Sequence, residues 1–122
     1  MTFGEYEDHA RHAGNYPAEG IGVTYSALAL AGEAGELANI VKKAWWASGK
    51  ATGDETAIGE LVLDDETARR VIDEAGDVLW YLSAVCGACG VSLEDAARQN
   101  IAKLQDRYGS TEGKQSSTQD QS

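Results

Sequence analysis

The sequence predicts an all-α fold, a four-helix bundle, from three observations. Four stretches carry apolar residues at helical spacing between start and stop residues. No stretch shows a parallel-sheet pattern. The two longest stretches repeat one acidic motif, Glu33-Ala34-Gly35-Glu36-Leu37 and Glu74-Ala75-Gly76-Asp77-Val78. A chain of 122 residues suits one compact domain.

The first helix is expected over about residues 2–13, ending ahead of Asn15-Tyr16-Pro17, because the residue before proline is pushed out of the helical region. The second runs from about Thr24 to Ala47 and stops at Ser48-Gly49. Residues 48–63 form a short irregular loop with Gly49, Gly53, Gly59 and several acids, and its apolar run Leu61-Val62-Leu63 is a candidate strand. The third helix starts at Asp64 or Asp65, either able to cap its first turn, and reaches Cys89, with Gly90 as the stop. The fourth starts at Ser92, with Asp95 three positions on as in a capping box, and ends at Tyr108-Gly109. Residues 1–109 are read as one domain. Residues 110–122 are polar, with almost no apolar side chain, and are expected to be a disordered tail.

A net charge of -10 leaves no basic patch for a nucleic-acid backbone, and suits a protein that concentrates cations. No apolar run approaches the roughly 20 residues of a membrane span, and the first residues lack the apolar centre of a signal peptide. The expected location is cytoplasmic. Cys86 and Cys89 form a CxxC, for which a redox role wants a strand–helix context and a zinc site needs two more ligands, with only His9 and His12 on hand. The plainer reading, buried cysteine as a small hydrophobe, is preferred.

The acids invite a functional reading through their phase. At about 100° per residue, Leu30, Leu37, Ile40 and Ala44 fall within about 60° of Glu33, with Glu36 at the stripe's edge. In the third helix Val71, Val78, Tyr81 and Val85 surround Glu74, with Asp77 at the edge. Desolvating a charge costs several kcal/mol unless it is paired or binds metal. Pairing is undersupplied: Lys43 flanks Glu36 and Arg70 flanks Glu74, which serves two acids at most. Glu33, Glu36, Glu74 and Asp77 therefore form a candidate all-oxygen site for a hard cation, magnesium first and manganese as its substitute. A di-iron bundle would instead carry Glu-x-x-His motifs, and neither acidic motif contains His. Hard cations in a helical cleft point towards phosphoryl or nucleotidyl chemistry.

The pair Glu33-x-x-Glu36 and Glu74-x-x-Asp77, with Leu30–Leu37 and Asp73–Leu82 around them, resembles the signature of the MazG-like all-α NTP pyrophosphohydrolases. Asn100-x-x-Lys103-Leu104-x-x-Arg107-Tyr108 is similar to that family's closing motif, and Tyr16-Pro17 with Thr24-Tyr25 to the lead-in of phage and bacterial members. The resemblance covers about residues 3–109. One departure is the 37 residues between Glu36 and Glu74, more than in compact members. The resemblance implies a bundle assembling as a homodimer or homotetramer. It also implies magnesium-dependent conversion of a nucleoside triphosphate, expected to be a deoxynucleotide, to the monophosphate and diphosphate. Glu33, Glu36, Glu74 and Asp77 would hold the metal, and Glu33 or Glu36 would act as the catalytic base. Tyr81, Asn100, Lys103 and Arg107 are candidate phosphate contacts, and Lys43, Tyr16, Asn15 and His12 candidate contacts to the rest of the nucleotide. Length and lead-in are compatible with a MazZ-like phage branch that makes dGMP from dGTP for modified-base synthesis. Rival readings are a non-catalytic metal-binding helical bundle and a module that binds a nucleotide without processing it.

Overall fold

The structure is a computed structural model that describes residues 1–13, 22–48 and 61–109. Four α-helices follow in order: α1 Phe3–His12, α2 Gly22–Ala47, α3 Asp65–Ala88 and α4 Leu93–Leu104, the last running into a π-helical turn, Gln105–Gly109. No strand occurs among the described residues. The expected all-helical class holds. Leu61–Leu63 is irregular rather than a strand, for which no pairing partner exists among the described residues. Asn15, Tyr16, most of the long loop and the tail lie outside the described residues.

Local chemistry sets the helix ends. Thr2 and Glu5 close a reciprocal capping box: the Thr2 hydroxyl accepts from the Glu5 N–H at 3.1 Å, and the Glu5 carboxylate accepts from the Thr2 N–H at 2.7 Å. Asp64 caps α3 by accepting from the Thr67 N–H at 2.7 Å, which holds its carboxyl below the usual carboxylate range. Ser92 caps α4 through the Asp95 N–H at 3.0 Å. At the end of α3, Gly90 takes φ 72, which an L side chain adopts only with strain. The Val91 N–H then donates to the Cys86 carbonyl at 2.9 Å and the Gly90 N–H to that of Gly87 at 3.1 Å, a Schellman closure. The chain turns by 99° between α3 and the final helical segment. Glu7 fastens this corner by accepting from the Leu93 N–H at 2.5 Å, a second satisfied donor at the start of α4.

The two long helices, α2 and α3, form the main packed pair. They run antiparallel: Glu33 faces Glu74, while Tyr25, earlier in α2, stacks at 6.5 Å and a tilt of 59° on Tyr81, later in α3. Ile40 is buried on α2, and Leu30, Leu37 and Ala44 are half-buried, as are Val71, Val78, Tyr81 and Val85 on α3. Two buried serines permit close approach, the Ser26 hydroxyl donating to the Gly22 carbonyl at 3.5 Å and that of Ser83 to the Trp80 carbonyl at 3.0 Å. The short α1 lays Ala10 against Ala84, with Tyr6 and Trp80 packed around them. Gly35 and Gly76, which look like close-approach positions, face open space.

The α3–α4 corner gives a direct test. Gly90→Ala must force a left-handed backbone on alanine, at about 1 kcal/mol, and should lower Tm by roughly 4 °C. Ser92→Ala removes a helix cap worth about 1 kcal/mol and should do much the same. Calorimetric melts of both variants check this.

Candidate metal and nucleotide site

Carboxylate oxygens of Glu33, Glu36 and Glu74 lie within 4.8 Å of one another across the α2–α3 pair. This follows from the helical phase of each motif together with antiparallel packing, which brings the two at the same level. Glu33 and Glu74 are half-buried and Glu36 is exposed at the rim. None of the three makes an ion pair with a described residue, and Lys43 and Arg70 stand free of them. Charge neutralisation by basic neighbours, the plain alternative for acids on a drying face, is therefore absent among the described residues.

Glu74 bears most of the strain. Its Oε2 is shut off from solvent and has no described hydrogen-bond partner. Its carboxyl is pushed up to about 7, first by desolvation, then by a proton-sharing hydrogen bond with Glu33 and by the charges of Glu36 and Glu33. A buried acceptor without a donor, in a group of three carboxylates, fits a cation with oxygen ligands. This is the one group of three or more His, Cys, Asp or Glu side chains among the described residues that could hold a metal ion.

Asp77, the fourth acid of the repeat, lies outside that group, exposed one turn along α3 from Glu74. It does act on Tyr81, whose hydroxyl is held above its ordinary range by burial first, then by Tyr25, Glu33 and Asp77. Tyr81 therefore borders the cluster and remains a hydrogen-bond donor at neutral pH. Tyr25 packs against Tyr81, with ring centroids 6.5 Å apart. It lies eight residues ahead of Glu33, and only the register between α2 and α3 reveals it.

The other candidates sit apart. Asn100 and Lys103 are exposed on α4 and Arg107 on the π-helical turn, with no described contact to the acids. Lys43 is exposed on α2, two turns after Glu36. His12, exposed at the end of α1, is held by its own helix, its Nδ1 lying 2.7 Å from the Asp8 carbonyl oxygen and 3.7 Å from the Asp8 carboxylate. Asn15 and Tyr16 fall outside the described residues.

Residues 23–110 match the model of the MazG nucleotide pyrophosphohydrolase domain. The chain belongs to that family. Its match contains both acidic motifs, the tyrosine pair and the whole of α3 and α4. The chain is also similar to the Gene 37 protein of Mycobacterium phage L5, with 35% identity over 86 residues, covering 70% of this chain. The match spans 66% of the phage protein, just under two thirds of its length. No solved structure matches. No single described helix is long and apolar enough to cross a membrane.

The Glu74 carboxyl predicts a pH signature in metal-free protein. Folded, it titrates near 7; unfolded, near its ordinary 4.5. Below about 4.5 both states hold the proton and no penalty exists; as pH rises towards 7 the unfolded chain releases its proton first, so the folded state loses stability. With metal chelated, the wild type should lose melting temperature relative to Glu74→Gln between about pH 5 and pH 7.5. Parallel curves for the two proteins over that range would contradict the shift.

Proposed function

We propose that this MazG-family protein is a magnesium-dependent pyrophosphohydrolase that converts a nucleoside triphosphate and water to the monophosphate and diphosphate. The substrate is a deoxynucleotide, with dGTP the first to test, and the setting is nucleotide-pool control or modified-base synthesis in the cytoplasm of a phage-infected cell. The observation that carries this reading is the convergence of Glu33, Glu36 and Glu74 with no basic partner and with one buried oxygen unsatisfied. Membership of a nucleotide pyrophosphohydrolase family supports the reaction class, and similarity to a phage protein supports the setting.

Glu33, Glu36 and Glu74 hold the cation, and Asp77, close by on α3, supplies the fourth carboxylate. Magnesium, or manganese in its place, supplies charge neutralisation of the triphosphate and lowers the cost of forming a nucleophile from water at neutral pH. Glu33 accepts the proton from the attacking water. The water oxygen bonds to the α-phosphorus, the bond from that phosphorus to the α–β bridging oxygen breaks, and the bridging oxygen leaves with diphosphate. Tyr81 donates its hydroxyl to a phosphate oxygen and keeps its proton, because burial and the neighbouring acids oppose ionisation. Asn100, Lys103 and Arg107 are the candidate contacts to the phosphates, and Lys43, Tyr16, Asn15 and His12 those to the sugar and base. The working form is a homodimer or homotetramer.

Diphosphate release measured across the eight common ribo- and deoxyribonucleoside triphosphates tests the activity. Glu33→Gln, Glu36→Gln, Glu74→Gln and Asp77→Asn should each lower turnover by at least about 100-fold while the apo fold survives, since removing one of several crowded like charges relieves repulsion. Magnesium should raise the Tm of the wild type more than that of any of the four. Variants melting far below the apo wild type, with activity scaled to folded fraction, would make the acids structural. Magnesium binding with no diphosphate released from any of the eight would favour a non-catalytic bundle.

A further inference from the structure

One motif stands outside the acidic site: Cys86-Gly87-Ala88-Cys89, the last turn of α3 with its cap. Both thiols are free, Cys86 half-buried and Cys89 exposed, so the reading of this pair as small buried hydrophobes fails for Cys89. Residues three apart on a helix are neighbours, with Cα atoms about 5 Å and Cβ atoms about 5–6 Å apart. A disulfide accepts Cα atoms about 4.4–6.8 Å apart but wants its Cβ atoms at about 3.8 Å. The pair is one small backbone adjustment away from bridging. Cys89 is where that adjustment can occur, because as the cap, with φ -91 and ψ 0, it carries no further helical turn.

We propose that Cys86 and Cys89 are a dithiol modification site, oxidised to an intrachain disulfide by a small organic disulfide, and that bridging loosens the α3–α4 corner. The exposed Cys89 thiolate attacks one sulfur of the oxidant R–S–S–R, forming Cys89–S–S–R and expelling RS⁻. The Cys86 sulfur then attacks the Cys89 sulfur, and the second RS⁻ leaves. The two expelled thiolates take up the two thiol protons. The chain gives up two electrons and two protons in all, and R–S–S–R is reduced to two R–SH. The order follows from the surroundings of each thiol: burial first, then the charges of Glu7 and Cys89, push the Cys86 thiol up, so Cys86 holds its proton and acts second. Glu7 beside the pair and a net charge of -10 favour a neutral or cationic oxidant over an anionic one.

The consequence lies in the hydrogen bonds that this turn holds. The Cys86 carbonyl accepts from the Cys89 N–H at 3.1 Å and from the Val91 N–H at 2.9 Å, and the Cys89 N–H also reaches the Val85 carbonyl at 3.1 Å. Drawing the two Cβ atoms together by about 1–2 Å rotates the Cys89 backbone against Cys86 and pulls Gly90 and Val91 out of the Schellman closure. Two residues on, the Leu93 N–H is the donor that Glu7 of α1 holds at 2.5 Å, so the same strain reaches the bond that fixes the start of α4. The thiol pair thereby links its oxidation state to the placement of α4, without touching the carboxylates. A bridge closed against such strain is readily reduced, as suits a reversible switch rather than a permanent staple.

Cystamine, a small cationic disulfide, added in excess to the full chain tests the site, with free thiols counted, intact mass measured and amide hydrogen exchange followed. The wild type should lose both thiols, retain no cysteamine, keep the mass of one chain less two hydrogens, and regain both thiols with dithiothreitol. Cys86→Ser should instead keep one cysteamine on Cys89, and Cys89→Ser should react at least about 10-fold more slowly, its remaining thiol being half-buried. Cys86→Ala repeats the first variant without a hydroxyl, and circular dichroism verifies the helix content of all three. In the bridged wild type the Val91 and Leu93 amides should exchange at least about 10-fold faster, as expected for a lost hydrogen bond, while that of Ile40 is unchanged. Retained cysteamine on the wild type, or a disulfide between two chains, would overturn the dithiol site. Equal rates for the Cys86 and Cys89 variants would overturn the order of attack. A bridged protein whose Val91 and Leu93 amides exchange as slowly as in the reduced protein would overturn the link to the corner, and with it the proposal.

Discussion

Three carboxylates held within 4.8 Å of one another repel, and no basic side chain among the described residues neutralises them. The rest of the structure has to oppose that repulsion. Two long helices do so by zipping apolar stripes together on both sides of the acids, with Ile40 buried on α2 and Val71, Val78 and Val85 half-buried on α3. The cluster also limits its own charge: Glu74 retains a proton up to about 7 and shares a hydrogen bond with Glu33, so one negative charge is absent at mildly acid pH. A cation held by the three carboxylates would remove the same strain without a proton.

The smaller elements hold the pair in register. Buried Ser26 and Ser83 satisfy their hydroxyls within their own helices and leave the helix faces thin. Ala10 and Ala84 do the same for α1 against α3, with Tyr6 and Trp80 as the walls. Glu7 reaches from α1 to the first turn of α4, so the corner after α3 is fixed by a charged hydrogen bond as well as by Gly90. A shift of one residue between α2 and α3 would turn Glu74 away from Glu33 by about 100°. Precision at the acids therefore depends on contacts that are nowhere near them.

Local signals made most helix ends legible. Asp64, Ser92 and Gly90 each act within four residues of the end they define, so sequence alone locates α3 and α4 to within a residue or two at their starts. The Thr2–Glu5 box has the same locality and was open to the same reading. Leu61–Leu63 has strand-like composition, but a strand is a property of a pair and composition supplies no partner. Glu33, Glu36 and Glu74 could be grouped because their helical phase and repeated motif require only the assumption that the two stripes face each other. Asp77 shares the motif yet stands outside the group, because three residues along a helix rotate a short aspartate side chain to the rim. Tyr25 needed more: its place beside Tyr81 depends on the register between two helices, which neither helix carries alone.

That dependence separates the parts of the site by the kind of information each requires. The carboxylates are specified within a helix, by spacing. The tyrosine pair is specified between helices, by the packing of Ile40, Leu37 and their neighbours. Asn100, Lys103 and Arg107 sit on an element that meets the long pair beyond a 99° turn, so their relation to the acids is set by the corner that Gly90, Ser92 and Glu7 build. A substitution at that corner would move three potential phosphate contacts together without touching a carboxylate. The acidic cluster and the exposed polar residues of α4 are thus mechanically separable, and the longer the chain between two groups, the more of their geometry is packing rather than sequence.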